Sequence, residues 1–305
     1  MKALRAIDRF WRDVAPPERL GMLRVIVGGY ALVYLLVRSP HLLSYADYPP
    51  AMFQPVGIAT FAPGPLVPFA ARALVIATVV LAVPFVLGYR HRVLAPVFAG
   101  LLLWVLTYSN SWGKILHTDN LLVIHVGVLA LSAAADSVSL DSRRRGSGAA
   151  PAADGRYGWP IRLMCALCVA TYLLAGIAKV TNSGLAFVEG ETLRNYVAFD
   201  NVRKIELGSI HSPIGAALVA WGAPFGLLAL LSVVLELGAP LALAHRRIAS
   251  WWVALVWGFH VGVLVLMAIG FAYQLSGVAF APFFRVERLL DTRLARRLGI
   301  SRLAT

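Results

Sequence analysis

The chain has 305 residues, of which 59% are hydrophobic and only 14% are charged, and its mean hydropathy is +0.73. These values exclude an ordinary water-soluble globular domain, so we expect the lipid bilayer to be the solvent for most of the chain. The formal net charge of +13 comes from short loops and the two ends, a pattern typical of membrane orientation rather than of nucleic-acid binding. Membrane lipids are therefore the expected partners of these charges, and nucleic acid is not.

Long apolar runs dominate the chain after its first 19 residues, which are amphipathic and predict a helix lying in the membrane interface rather than a signal peptide. A membrane span needs about 20 apolar residues to cross the hydrocarbon. The runs that qualify lie at 21–38, 66–88, 93–110, 119–135, 160–181, 222–244 and 250–270, followed by a shorter run at 271–284. Because the runs are continuous rather than alternating, they predict an all-α polytopic membrane bundle with seven to eight membrane segments.

The arginines and lysines between these runs predict the orientation of the chain, with both termini cytoplasmic. The loops that then face outward are 39–65, 111–118 and 182–212. Residues 142–157 contain a Gly-rich and Ala-rich stretch that predicts a flexible cytoplasmic linker, and residues 286–305 predict a basic amphipathic helix. The whole chain, 1–305, is interpreted as a single membrane domain.

Few ionisable side chains interrupt the apolar runs, and each is a candidate site because a charge in hydrocarbon is costly. Lys179 ends the fifth run, where burial would favour a neutral amine able to act as a base, although snorkelling to the headgroups is the alternative. Glu236 lies inside the sixth run, where a carboxylate must pair, take up a proton or bind a ligand. His260 interrupts the seventh run, and a hydrogen bond between helices would explain it equally well.

A second polar segment follows the third run, in SWGKILHTDN. It contains His117, which is either a catalytic group or a polar cap beside its neighbours Asp119 and Asn120. Trp112 is the second residue of the same segment. The predicted topology places His117 and Lys179 at the same outward face of the membrane, so two reactive groups share that face.

The remaining candidate residues are interpreted as packing groups and not as catalytic groups. His125, on the fourth run, is interpreted as a packed and hydrogen-bonded histidine. Cys165 and Cys168 form a C-x-x-C pair within one continuous helix, where a disulfide would strain the geometry. The sequence predicts no metal site.

Three stretches resemble a known family. YLLAGIAKVTNSGLAFVEGETLRNYV, residues 172–197, is similar to the segment of the vitamin K-dependent γ-glutamyl carboxylase family that holds the catalytic lysine. SWGKILHTDNLLVIHVGVLALSAAADSVSLD resembles the segment holding the histidine that assists it, and LSVVLELGAPLALAH with FHVGVLVLMAIGFAYQLSGVAFAPFF resembles the last membrane segments. This family joins the animal carboxylase to bacterial membrane proteins that carry the HTTM domain, and the resemblance covers about residues 20–285.

The resemblance implies a base, an assistant and a pocket. Lys179 would be the base that deprotonates a reduced quinone, vitamin K or menaquinol, and His117 would be its hydrogen-bonding assistant. The implied pocket residues are Glu236, His260, Asp119, Asn120 and Trp112. Ala178 stands where the family often has a second lysine. The portion that grips a propeptide in the animal enzyme does not follow the membrane core here, so quinone epoxidation is the expected activity and coupled carboxylation stays open.

Two other functions stay open beside this enzyme. The sporulation-delaying protein B group, which helps to process a secreted peptide, carries the same domain and would give this chain a peptide or protein substrate. A transporter or lipid-binding protein would use Glu236 and His260 as a polar site near the membrane midplane. In each case the expected location is a bacterial inner membrane.

Overall fold

The computed structural model describes residues 8, 10–113, 115, 117–146 and 151–292. These residues form helices and turns, and within them no strand is present beyond an isolated antiparallel bridge between Ala15 and Asp154. The predicted all-α class is therefore confirmed. Residues 1–7 and 9 of the predicted interfacial helix and residues 293–305 of the predicted basic helix lie outside the described residues, whereas Pro17 already begins the first long helix and Val286–Asp291 form a 3-10 helix.

The chain divides into two compact units. The first contains Met1–Met164 together with Phe284–Thr305, and the second contains Cys165–Phe283. The interpretation of the chain as one membrane domain stays a prediction.

Several helices of the first unit begin or end at residue types that favour a helix start or a helix end. They are α1 (Pro17–Ser44), α2 (Pro68–Leu87), α3 (His91–Ser109), α4 (Asn120–Ala130) and α5 (Leu140–Arg144). Prolines begin α1 and α2, where the missing N–H costs nothing. Gly88 ends α2 in the left-handed conformation, with φ +61°.

Arg24 holds the centre of the first unit together. Its side chain is fully buried, and its guanidinium donates to the carbonyls of Phe85 at 2.8 Å and of Val86, at the end of α2. It also donates to the carbonyls of Ala134, at 3.0 Å, and Val138, beyond α4. One side chain thus connects the end of α2 to the turns that follow α4 through backbone carbonyl groups.

The helices of the second unit surround an open pocket. Helix α6 (Gly155–Ser183) continues into this unit, and it is followed by α7 (Glu191–Glu206), α8 (Pro213–Trp221), α9 (Phe225–Leu237), α10 (Arg246–Met267) and the single turn α11 (Ala272–Leu275). Helices α8 and α9 form a pair bent by 111° at residues 222–224. Pro224 precedes α9 and Gly222 takes φ +77°, so neither residue favours a continuous helix.

Side chains of α7 and of the loop after it satisfy the last carbonyl groups of α10. Asn201 donates to the Leu266 carbonyl at 3.0 Å, Ser212 donates to that of Val265, and Lys204 donates to that of Met267. Close packing accompanies this cap, because a Cβ on Gly215 would lie 1.9 Å from the Leu266 carbonyl oxygen. The end of α10 is therefore fixed to α7 and to the loop after it by polar contacts.

Within the part of the chain that the structure describes, five helices are long and apolar enough to span a membrane, and the bent pair would make a sixth. The predicted seven to eight segments are not confirmed. The apolar run at 119–135 forms a helix of only 11 residues, Asn120–Ala130. The run at 271–284 forms the single turn α11 and a 3-10 helix at Val278–Phe283, which contains Pro282. Hydropathy marks apolar stretches, but it does not reveal where proline and tertiary packing interrupt a helix.

The predicted linker at 142–157 is partly helical. Its first residues belong to α5, and its last residues, from Gly155, belong to α6. Residues 147–150, in the Gly-rich and Ala-rich part, lie outside the described residues, so the flexibility predicted there stays a prediction.

Candidate functional site

Lys179 and Glu236 form a close ion pair in the second unit. The Lys179 ammonium nitrogen lies 2.8 Å from both carboxylate oxygens of Glu236. It also donates to the Ser232 hydroxyl at 3.3 Å. The Glu236 side chain is only 4% exposed and that of Lys179 is 23% exposed, so the carboxylate is buried while the amine reaches an open space. The two residues that the sequence singled out separately are thus brought together.

The local sequence explains how α6 and α9 approach so closely. Gly176 lies one turn before Lys179, and a Cβ there would come within 2.9 Å of the Glu236 Cβ. Ser232 and Glu236 are four residues apart on α9 and therefore share one face. Since helical side chains incline towards the N-terminus, Lys179 reaches back to the level of Gly176 and meets that face.

Two aromatic rings flank the ammonium group. Its nitrogen lies 5.3 Å from the centroid of the Phe187 ring and 5.5 Å from that of Phe259. Such distances are typical of cation–π contacts, which stabilise a cation away from water. Phe187 itself packs against Ala229 and Val233 of α9. The rings hold the amine in place without adding another proton acceptor.

An open pocket of about 610 Å³ lies beside the ion pair. Its lining comes entirely from the second unit and is mostly apolar, with residues such as Leu193, Leu231, Leu255 and Val263. Lys179 and Ser232 provide polar groups in this lining. The volume is typical of sites for small organic molecules. Asn182, Ser183 and Tyr196 also line the pocket, so its mostly apolar wall with a polar region suits a ligand that is mainly hydrophobic and carries a polar head.

The pair can exchange a proton internally. The ammonium and the carboxylate can become a neutral amine and a carboxylic acid without any change in net charge. A neutral amine beside an apolar pocket could then take a proton from a bound molecule. This arrangement therefore contains a candidate acid–base centre whose two states have equal total charge.

His260 forms a separate contact in the same unit. Its Nε2 atom lies 2.7 Å from the hydroxyl oxygen of Tyr172, and both side chains are buried. His260 is not among the residues that line the pocket, whereas its neighbour Phe259 is. The interhelical hydrogen bond that the sequence offered as an explanation for His260 is present, and its role in a ligand pocket stays a prediction.

The other predicted site residues belong to the first unit. His117 is exposed in a 3-10 turn, His117–Asp119, and Asn120 begins α4. Asp119 accepts a hydrogen bond from the Tyr34 hydroxyl at 2.6 Å, which fixes this turn to α1. The action of His117 on Lys179 stays a prediction.

Trp112 lies in an aromatic cluster of the first unit. Its ring is buried and packs against Tyr45, Tyr48, Phe53 and Tyr108. This environment explains the tryptophan by packing. Its predicted part in a ligand pocket stays a prediction.

The residues interpreted as packing groups occupy buried positions. His125 is fully buried and contacts the Met164 carbonyl through Nε2 at 3.3 Å. Cys165 and Cys168 are buried and unbridged. Within the described part of the chain, no group of three His, Cys, Asp or Glu side chains converges in a way that could hold a metal ion.

Several residues around the ion pair were missed by sequence reasoning. Ser232 could have been found because it lies four residues before Glu236 on an apolar helix, and Gly176 because it lies three residues before Lys179. Phe187 follows a turn after α6, and no periodic signal connects it to Lys179. Nothing in the sequence marks Tyr172 as a site residue except its spacing from Lys179, which places both residues on one face of α6.

Comparisons of the chain with protein-family models, with curated proteins and with solved structures gave no match. The described residues form an all-helical chain with several helices long and apolar enough for a multi-pass membrane protein, and with a lysine–glutamate pair beside an apolar pocket.

Proposed function

We propose that this chain is a bacterial membrane enzyme related to the vitamin K-dependent γ-carboxylases, which uses a reduced quinone and oxygen to generate a strong base. The observation that carries the proposal is the ion pair of Lys179 and Glu236 beside an open apolar pocket. In this proposal the chain crosses the inner membrane seven or eight times. Both termini are cytoplasmic and the site faces outward.

The pocket supports a lipid-soluble cofactor. Its volume of about 610 Å³ and its apolar lining fit a quinone ring with part of its isoprenoid chain. The Lys179 amine reaches the pocket, whereas the Glu236 carboxylate is buried behind it. When bound, a reduced quinone would supply a weakly acidic hydroxyl group and the electrons that reduce oxygen.

Lys179 acts as the base in this mechanism, and Glu236 makes that possible. The carboxylate takes a proton from the ammonium group across 2.8 Å, so an N–H bond breaks and an O–H bond forms. The neutral amine then takes a proton from a hydroxyl group in the pocket. Ser232, 3.3 Å from the amine, orients it, while Phe187 and Phe259 exclude water from its sides.

The remaining site residues belong to the proposal through the family resemblance. The resemblance alone implies His117 as the assistant of Lys179 and His260, Asp119, Asn120 and Trp112 as residues of the quinone pocket, whereas the pocket beside Lys179 is lined by the second unit. Coupled carboxylation of a secreted peptide or protein is the open extension of this chemistry.

Purified protein in detergent tests the proposal. We expect wild-type protein to consume reduced menaquinone in the presence of oxygen and to form the epoxide, and we expect Lys179→Ala to lose this activity. Lys204→Ala, a lysine on α7 that caps α10, is the matched control and should retain most of it. Folded wild-type protein that leaves every hydroquinone unchanged would contradict the proposal.

A lipid-binding function without chemistry is the second candidate. The broken helix pair and the size of the pocket favour it, because discontinuous helices commonly border binding sites in membrane transporters. Binding of a quinone to wild-type protein without turnover would favour this candidate. Peptide maturation rests on the family resemblance alone.

A further inference from the structure

The pocket beside Lys179 is a long cleft with α9 and α10 along its two sides. On α10 the residues that line it run from Leu255 to Met267, a distance of about 18 Å along a helix. Lys179 reaches the middle of this length, because its ammonium nitrogen lies 5.5 Å from the ring centroid of Phe259. The cleft therefore extends beyond the amine in both directions.

Helix α7 closes one end of the cleft. Its side chains line the pocket there, and Val197 is buried. Gly190, which precedes α7, packs so closely against the start of α9 that an added Cβ would overlap the backbone of Gly226. At the other end of α7, Asn201 donates to the Leu266 carbonyl of α10 at 3.0 Å. Helix α7 thus lies across the end of the cleft at which α9 begins and α10 ends.

A contact between α9 and α10 closes the opposite end of the cleft. The indole Nε1 of Trp252 donates to the Leu235 carbonyl at 3.1 Å, and Trp252 is buried. On α10, Trp252 lies about one turn before Leu255, where the lining of the pocket begins. Since both ends are closed, the cleft opens at its side, between the two helices.

Apolar side chains border this side opening. Leu231 and Val234 of α9 and Leu255 of α10 line the pocket, yet each of them is more than half exposed. Between residues 248 and 267, α10 carries no lysine, arginine, aspartate or glutamate, and it is long and apolar enough to span a membrane. In a bilayer the opening would therefore face hydrocarbon and not water.

Two glycines leave the α10 side of the cleft without side chains. Gly258 and Gly262 line the pocket on either side of Phe259, and a Cβ added at either glycine would meet no atom within 4 Å. Gly176 differs from them, because a Cβ there would lie 2.9 Å from that of Glu236. Glycine weakens the interior of a helix, and close helix packing does not require it at positions 258 and 262. Its effect there is to keep the cleft wide.

We propose that the pocket takes a membrane lipid with one long hydrocarbon chain, which enters sideways between α9 and α10. This inference rests on the proposed function, in which that lipid is the reduced quinone. The polar ring lies beside Lys179, and the chain passes over Gly258 and leaves the cleft between Val234 and Leu255. Gly262 lies towards the end that α7 closes, so the chain does not pass it.

The affinities for two oxidised quinones, measured with protein in lipid nanodiscs, test this inference. Menaquinone carries a polyisoprenoid chain, and menadione has the same ring system without the chain. Gly258→Leu places a side chain in the path of the hydrocarbon chain and leaves the space for the ring. We expect it to weaken menaquinone binding by about 10-fold or more and menadione binding by less than about 2-fold. Val234→Trp narrows the opening from α9, should act in the same way, and decides the matter if Gly258→Leu does not fold.

Gly262→Leu is the matched control, because it makes the same substitution in the same pocket but away from the opening. It should change the affinities for menaquinone and menadione by the same factor. If Gly258→Leu and Val234→Trp also changed both affinities by the same factor, the inference would be overturned. Chain-dependent binding without hydroquinone turnover would contradict the proposed function and leave the sideways entry intact.

Discussion

Arg24 in the first unit and Lys179 in the second are both cations held away from water, but their partners differ. Arg24 is fully buried and donates to backbone carbonyls at the end of α2 and in the turns after α4. Lys179 faces a single carboxylate and reaches an open pocket. A guanidinium surrounded by carbonyls stabilises the fold and has no acceptor for its proton. An amine beside a carboxylate keeps a proton that can move, which is a requirement for acid–base chemistry.

Replacing Arg24 should give the largest loss of stability. Arg24→Met leaves the carbonyls of Phe85, Val86, Ala134 and Val138 without their donor, and we expect it to destabilise the protein by roughly 3–5 kcal/mol. Thermal unfolding in detergent, followed by circular dichroism, measures this loss. Arg92→Met, at an exposed arginine on α3, should change the stability by less than about 0.5 kcal/mol. Similar unfolding temperatures for the two variants would refute the structural role of Arg24.

Breaking the Lys179–Glu236 pair should give the next largest effect. Lys179→Met or Glu236→Met alone leaves a charge without its partner and should cost about 3 kcal/mol, whereas the double variant should cost less than the sum of the two. The same unfolding measurement, arranged as a double-mutant cycle, gives the coupling energy. Additive losses would mean that the two side chains do not interact in the folded protein.

The close approach of α6 to α9 brings Lys179 and Glu236 together. A change that separates these helices should therefore affect the site more than the rest of the fold. Gly176→Ala places a Cβ 2.9 Å from that of Glu236, so the helices must separate. We expect a loss of about 1–3 kcal/mol and a lower rate of hydroquinone consumption. Gly127→Ala, on α4, is the control, since its Cβ would meet no atom within 4 Å and should be neutral or slightly stabilising. An unchanged rate in Gly176→Ala would show that the close approach is unnecessary.

Asp200 on α7 should give the smallest effect. Burial acts to raise the pKa of Asp200, but the hydrogen bonds from Lys204 and Arg203 outweigh it and hold that pKa below its usual range. The resulting stability is present above pH about 4, near the pKa of the unfolded carboxyl group, and is lost as the pH falls through the lower folded value. Asp200→Asn should remove this acid-dependent part, which we expect to be about 1 kcal/mol or less. If the free energy of unfolding of the wild type and that of Asp200→Asn fell equally with pH below pH 4, this assignment would be contradicted.

The sequence predicted the parts of the structure that depend on local pattern. Continuous apolar runs gave the helical class, and charges inside those runs marked Lys179 and Glu236. Their pairing was missed, because it depends on the approach of two helices at Gly176 and not on spacing along the chain. The short helix in the run at 119–135 and the break between α8 and α9 were missed for a related reason. Hydropathy measures the preference of a segment for lipid, but it does not show whether that segment forms one continuous helix.

The rate of oxygen-dependent hydroquinone consumption by Lys179→Arg tests most directly whether Lys179 serves as a base. Arginine keeps a positive charge beside Glu236 but stays protonated, so position 179 would then resemble position 24. We predict a folded protein of nearly normal stability whose rate of hydroquinone consumption falls by about 100-fold or more. A rate close to that of the wild type would contradict the claim that Lys179 serves as a base.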